Sequence, residues 1–147
     1  MTAVIRTTDW SENQDILQGI RHSVFVEEQG VPEDLEVDEK DPSALHFLAT
    51  TDDGTAIATA RLVHECDEIA RIGRFAVLAA YRNQGFGTRL LHHMLDYARQ
   101  QGYAKIVLSA QLEAISFYEK AGFEPYGEIY LDAGLEHRSM RLILQRE

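Results

Sequence analysis

Apolar positions change their period several times along this chain, and each change marks an element. "AVIRTT", Ala3 to Thr8, alternates over a short run and reads as a first strand. Ile16, Ile20 and Val24 then recur at helical spacing with Leu17 beside them, which predicts a helix from Glu12 to Val26. Acids and breakers replace that pattern between Glu27 and Ser43, where Gly30, Pro32 and Pro42 punctuate a loop with room for one helical turn. "ALHFLATT" and "TAIATARLVH" flank an Asp-Gly turn and form a hairpin, and "EIARIGRFAVL", Glu68 to Leu78, extends it into an antiparallel meander.

The second half returns to a helical period. Phe86, Leu90, Leu91, Met94, Leu95 and Ala98 form one stripe, predicting a helix from Gly85 to about Gln101 that stops at Gly102. "AKIVLSA", Ala104 to Ala110, is a nearly continuous apolar run and so a central strand. The helix between it and the meander makes it parallel to the meander's last strand. "LEAISFYEKAG" is a shorter helix ending at Gly122, and "FEPYGEIYLDAG" with "EHRSMRLILQ" closes the chain as a final hairpin. The whole is a mixed α/β (α+β) sheet with helices packed on it.

Length and composition narrow the function. With 147 residues, 45% apolar and 26% charged, the chain fits one soluble globular domain spanning residues 1–147. No apolar run approaches the ~20 residues of a membrane span, and the first residues lack a secretory pattern. A single cysteine, Cys66, excludes an internal disulfide and suits a reducing, cytoplasmic setting. The net charge of −10 argues against nucleic acid, whose phosphates are bound by Lys and Arg. Neither adjacent His92 and His93 nor the pair His64 and Cys66 makes a zinc pattern, so no metal is expected.

Candidate chemistry centres on "YRNQGFGTRLLHHML", Tyr81 to Leu95, where two glycines open a helix at a cost of roughly 1 kcal/mol each relative to alanine. A Rossmann fingerprint needs a third glycine where Leu90 stands, and a Walker loop needs Gly-Lys where Gly87 is followed by Thr88. Both fail. An anion cradle survives, because backbone N–H groups at a helix start carry positive partial charge and glycines admit a bulky anion, with Arg82 and Arg89 adding charge beside it. Spacing alone leaves a tight turn as the alternative.

"Arg82-Asn83-Gln84-Gly85-Phe86-Gly87" after "RFAVLAAY", followed by "AISFYEKAGFE" from Ala114 to Glu124, resembles the two signature motifs of the GNAT superfamily of N-acetyltransferases. Order and spacing agree over essentially the whole chain. "VFVEEQGVPEDLEVDEKD", "LHFLA" and "LEHRSM" are similar to one bacterial branch of it. The resemblance implies a mostly antiparallel sheet of about seven strands with about four helices, the fourth and fifth strands parallel and splayed. Acetyl-CoA is implied as co-substrate. Phe75, Ala76 and Val77 would pair with its pantetheine arm, the Val77 N–H polarising the thioester. Arg82, Asn83, Gln84, Gly85, Phe86, Gly87 and Thr88 would hold the pyrophosphate, and Ala114, Phe117 and Lys120 would line the remaining groove.

The implied reaction is direct acetyl transfer to a primary amine of a small, cationic substrate; the alternative is an acyl-CoA-binding sensor without catalysis. Tyr118 matches the superfamily position that protonates the leaving thiolate, though a core tyrosine would read the same. The base that histone-type members carry on the fourth strand falls on Arg71. Glu28, His46 and His137 are the substitutes, with Glu28 and His137 preferred. Glu28, His46 and Arg74 are also the candidate substrate contacts, Arg74 through a substrate carboxylate. The acids Glu27, Glu28, Glu33, Asp34, Glu36, Asp38, Glu39 and Asp41 either steer a cationic acceptor or form a solvated loop. A monomer or a homodimer paired through the final hairpin's edge is expected.

Overall fold

The computed structural model describes residues 2–144. Its centre is a seven-stranded sheet in the order β1-β2-β3-β4-β5-β7-β6. β1 (Ala3–Thr8), β2 (Leu45–Thr51), β3 (Ala56–Cys66) and β4 (Ile69–Val77) pair antiparallel in sequence. β5 (Lys105–Gln111) joins β4 in parallel and so takes the centre, as its apolar run requires. β7 (Leu135–Ile143) then pairs antiparallel with β5 and with the edge strand β6 (Glu124–Asp132). Gln145, the end of the expected last strand, lies outside the described residues.

Four α-helices flank the sheet. In α1 (Trp10–Arg21), the Asp9 carboxylate caps the first turn by accepting from the Glu12 N–H at 2.9 Å. The expected helix to Val26 does not continue as one: at His22 it widens into a π-helical segment, His22–Glu28. Leu17, Ile20 and Val24 are buried as expected, whereas Ile16 is 42% exposed and faces solvent. α2 (Glu33–Glu36) is the single turn within the acidic loop. α3 (Phe86–Gln100) buries its whole apolar stripe against the sheet, none of those six residues more than 3% exposed. The last expected helix begins as a 3-10 turn, Leu112–Ala114, and becomes α4 (Ile115–Glu119).

One irregularity shapes everything near the centre. β3–β4 pairing steps from Thr59↔Ala76 to Arg61↔Gly73, so Arg74 and Phe75 together oppose Ala60. This is a bulge with Arg74 in the left-handed region at φ +52. Extra residues twist and bend a strand, and β4 parts from β5 here.

The acidic loop between Glu27 and Ser43 divides its acids: Glu27, Glu28, Glu33, Asp34 and Glu39 are exposed, and the other three are not. Three of its acids turn inward to three arginines distant in sequence. Buried Arg21 donates to Glu36 and Asp41 at 2.8 Å each. Arg61 on β3 donates to Asp38 at 2.7 Å and to Asp41 at 2.9 Å. Arg74 reaches the Glu36 carbonyl oxygen at 3.0 Å and Asp38 at 3.2 Å. Burial pushes the Asp41 carboxyl up, and the hydrogen bonds from Arg21, the Asp38 N–H and Arg61 outweigh it, so the group ends below its ordinary value. Three positive and three negative side chains thus strap the loop onto β3 and β4.

Acid should loosen this strap first. Hydrogen bonds from Arg61 hold the Asp38 carboxyl down from 3.8 to about 2. A lowered folded-state pKa contributes stability at pH values above 3.8 and loses it as pH falls to about 2. Urea midpoints measured across that window should fall steeply for the native chain and less steeply for Asp38→Asn, which has no proton to gain there.

Candidate active site

β4 and β5 pair from Ile69↔Lys105 to Ile72↔Leu108 and no further, although β4 runs on to Val77 and β5 to Gln111. The strands open like a wedge beyond the bulge. On the β3 side the Leu78 N–H donates to the Ile57 carbonyl oxygen at 2.9 Å. Antiparallel alternation therefore turns the N–H and C=O of Val77 away from β3, toward the open wedge. The guanidinium Nε of Arg82 already meets the Val77 carbonyl oxygen there at 2.8 Å. A cavity of about 680 Å³ adjoins the wedge, with Phe25, Phe75, Ala114 and Tyr118 among its apolar walls and His137 at its polar side. Gln111 at the end of β5 donates across to Gln29 at 2.7 Å and ties the wedge's rim to the segment after α1.

The glycine turn follows the same end of β4, after the short turn Ala79–Tyr81. Gly85 caps α3 at φ +86, and Asn83 just before it has φ +61. The first bond within α3 runs from the Arg89 N–H to the Gly85 carbonyl oxygen at 3.1 Å. The N–H groups of Phe86, Gly87 and Thr88 precede it and have no helical acceptor. A Cβ on Gly85 would meet nothing within 4 Å, so the approach to those groups is open. At Gly87 it would sit 3.5 Å from Phe117 Cζ and Val77 Cγ2, which joins the turn to the wedge. The Phe86 side chain is buried in the core, so only its backbone faces outward. Gln84 closes the turn by donating to the Ala80 carbonyl oxygen at 3.1 Å.

This arrangement of sheet, wedge and glycine turn has known counterparts. The family model described as acetyltransferase (GNAT) family matches residues 10–123. This chain belongs to that family. YjcF of Bacillus subtilis (strain 168), an uncharacterised N-acetyltransferase, is 32% identical over 122 residues, covering 82% of this chain and 86% of its own. The crystal structure of Escherichia coli ElaA superposes with a TM-score of 0.84 at 28% identity, over 95% of this chain and 99% of its own. An acyl-CoA N-acyltransferase from Pseudomonas aeruginosa gives a TM-score of 0.84 at 29% identity, with the same coverage of 95% and 99%.

Within this GNAT-family site the expected residues separate. Tyr118 and His137 line the cavity together. Tyr118 packs edge-on against Phe75 and Phe123, and burial pushes its phenol up, so it holds its proton at neutral pH. His137 Nδ1 lies 2.8 Å from the Leu135 carbonyl oxygen. A carbonyl only accepts, so Nδ1 carries the proton and Nε2 keeps its lone pair. Phe75 and Ala114 also line the cavity, Phe117 packs 5.5 Å from Phe75, and Ala76 turns its side chain into the α1 core. Lys120 is exposed at the end of α4.

Other candidates need correction. His46 is 1% exposed, stacks on Trp10 and bonds through Nε2 to the Asp41 carbonyl oxygen at 2.9 Å. It is part of the strap beneath α1 and lines neither wedge nor cavity. Glu28 forms a two-pronged ion pair with Arg82 at 2.6 and 2.8 Å, which holds its carboxyl below the ordinary value and makes it a weaker base. Arg82 is fully engaged by Glu28 and Val77, and Arg89 donates to the Ala3 carbonyl oxygen at 3.0 Å, so both arginines brace the turn. Arg74 reaches the cavity, donating through Nε to Glu36 and through Nη2 to Leu35 and Asp38, with Nη1 left, among the described residues, for a substrate carboxylate.

Polar groups that sequence reasoning passed over also meet here. Arg71 on β4 pairs with Glu65 on β3, and the Ser109 hydroxyl bonds the Tyr130 hydroxyl. Alternation was the available signal: Arg71 falls between Ala70 and Ile72, both buried in the core, and must face the opposite side of the sheet. The geometry at His137 has a direct check. Nitrogen NMR of the neutral imidazole should show the Nδ1–H tautomer, distinguished from the Nε2–H form by the shift of each ring nitrogen.

Proposed function

We propose that the protein is an N-acetyltransferase that passes an acetyl group from acetyl-CoA directly to a small primary amine. The observation that carries this reading is the wedge, where the Val77 N–H turns away from β3 beside a cavity lined by Phe75, Tyr118 and His137. Membership of the family supports acetyl transfer in general; the donor, the acceptor and the roles below are our reading.

The chain's own groups suit coenzyme A. Asn83 to Thr88 form a turn whose outward N–H groups, at the positive end of α3, fit a pyrophosphate. Phe75, Ala76 and Val77 offer an open strand edge on which a pantetheine arm fits as an added strand would. Ala114 and Phe117 provide apolar contact beside it, and exposed Lys120 supplies a cation on the same helix. Bound acetyl-CoA supplies an acetyl thioester already activated toward amines.

Three groups then divide the work. The Nε2 of His137 takes a proton from the acceptor, directly or through one water, because an ammonium has no lone pair with which to attack. The Val77 N–H faces the position where negative charge grows on the acyl oxygen. The Tyr118 phenol, kept protonated by burial, gives its proton to the departing thiolate. Pairing of Glu28, Glu36, Asp38 and Asp41 with arginines leaves the exposed Glu27, Glu33, Asp34 and Glu39 to attract a cationic acceptor.

Thiol release from acetyl-CoA across a panel of amines tests this reading, with turnover expected on at least one. Coenzyme A binding without turnover on any amine would instead favour a sensor, and no binding would overturn both. Gly85→Glu should abolish binding by setting bulk and negative charge in the turn. Tyr118→Phe and His137→Gln should each lower kcat by roughly a hundredfold while leaving coenzyme A affinity nearly unchanged.

A further inference from the structure

Four cations line the cavity: Lys40, Arg61, Arg71 and Arg74. Arg61 spends its terminal nitrogens on Asp38 and Asp41, and Arg74 spends Nε and Nη2 on Glu36, Leu35 and Asp38, which leaves it a single terminal nitrogen and no fork. Lys40 carries its charge on a flexible exposed stem. Arg71 differs from all three. Its Nε donates to Glu65 at 2.5 Å, which fixes the plane of the guanidinium, while neither Nη donates a hydrogen bond among the described residues. The two free nitrogens form a fork of the geometry that matches a carboxylate. Glu65 beside it disfavours a doubly charged phosphate.

Register gives this fork a relation to the proposed base. Arg71 lies beside Val107 on β5, and His137 lies beside Gln111 on the far side of the same strand. Those positions are about 13 Å apart along β5, and the two flanking strands are about 10 Å apart across it. Side chains stand roughly perpendicular to a sheet and keep most of that separation. Ser109, bonded to Tyr130, provides a polar floor between the two ends.

We propose that Arg71 binds a carboxylate of the acceptor, and that the acceptor is an amine bearing that carboxylate several bonds from the nitrogen. The inference rests on the acetyltransferase reading, in which the amine must lie at His137. Arg71 positions the acceptor and takes no part in moving protons. The Glu65 carboxylate at Nε offsets the charge of the guanidinium and repels an incoming carboxylate, so neutralising it strengthens the fork's hold.

The test compares acetylation of straight-chain ω-amino carboxylates of four, six and eight carbons with alkylamines of the same lengths. The expected result is a lower KM for the amino carboxylates, best among the longer ones. Arg71→Gln should raise their KM by about ten- to hundredfold with kcat unchanged and the alkylamine KM unmoved. Glu65→Gln should lower their KM. A loss of structure would move both series together and both variants in the same direction, so the opposite signs identify carboxylate binding. Turnover of both series without preference, or an equal effect of Arg71→Gln on each, overturns the inference alone. Acetylation of no amine overturns the parent reading and this one with it.

Discussion

The bulge at Arg74 is the constraint on which the rest of the site depends. A non-glycine residue in the left-handed region costs on the order of 1–2 kcal/mol and persists only where surroundings hold it. Here the hold comes from the loop between α1 and β2: the Glu36 carbonyl oxygen and the Asp38 carboxylate both take hydrogen bonds from the Arg74 guanidinium. The loop in turn stays in place because Arg21 and Arg61 neutralise its remaining inward acids. Strand bend, loop position and cavity wall are therefore one coupled arrangement. With the bulge ironed out, β4 could follow β5 past Ile72, and there would be no wedge and no open Val77 amide.

A strap of six charges is an expensive way to fasten a loop, since each buried ion gives up its hydration. Apolar side chains of similar volume would often hold such a contact as well or better. What they would lack is direction. The bidentate bonds of Arg61 to Asp38 and the paired bonds of Arg21 to Asp41 fix both position and angle. A loop that walls a cavity beside a splayed strand has to meet both requirements. The absence of buried unsatisfied side-chain polar atoms among the described residues fits a strap that is complete rather than partial.

Legibility in the sequence followed the range of each interaction. The α3 stripe, the Asp-Gly hairpin and the continuous apolar run of β5 are local patterns, and each appears in the structure where periodicity put it. The site's donor half was legible for the same reason: glycines at a helix start mark backbone that must be approached. The strap was not. Arg74 meets Glu36 across 38 residues and Arg82 meets Glu28 across 54, and no local pattern says which charges will pair. That is why the inward turn of Glu36, Asp38 and Asp41, and the pairing of Glu28 with Arg82, were not legible. The widening of α1 at His22 escaped too, because a π-helical turn leaves the spacing of Leu17, Ile20 and Val24 almost intact.

The two halves of the site are built from different material, and this bears on what relatives can share. In the proposed reading, recognition of the donor rests on backbone: the N–H groups before α3 and the amide edge of β4. Side chains there can change while the groups stay, so such a half would follow from the fold that ElaA shares at 28% identity. The proposed acceptor half is made of side chains from separate strands, Arg71 on β4, Ser109 on β5, Tyr130 on β6 and His137 on β7. Each of these can be exchanged without disturbing a ladder hydrogen bond. Arg71 illustrates the point, standing on a face that packing leaves open while its neighbours Ala70 and Ile72 are committed to the core. Acceptor choice can therefore drift one side chain at a time on a donor site that does not move, and family likeness predicts the second far better than the first.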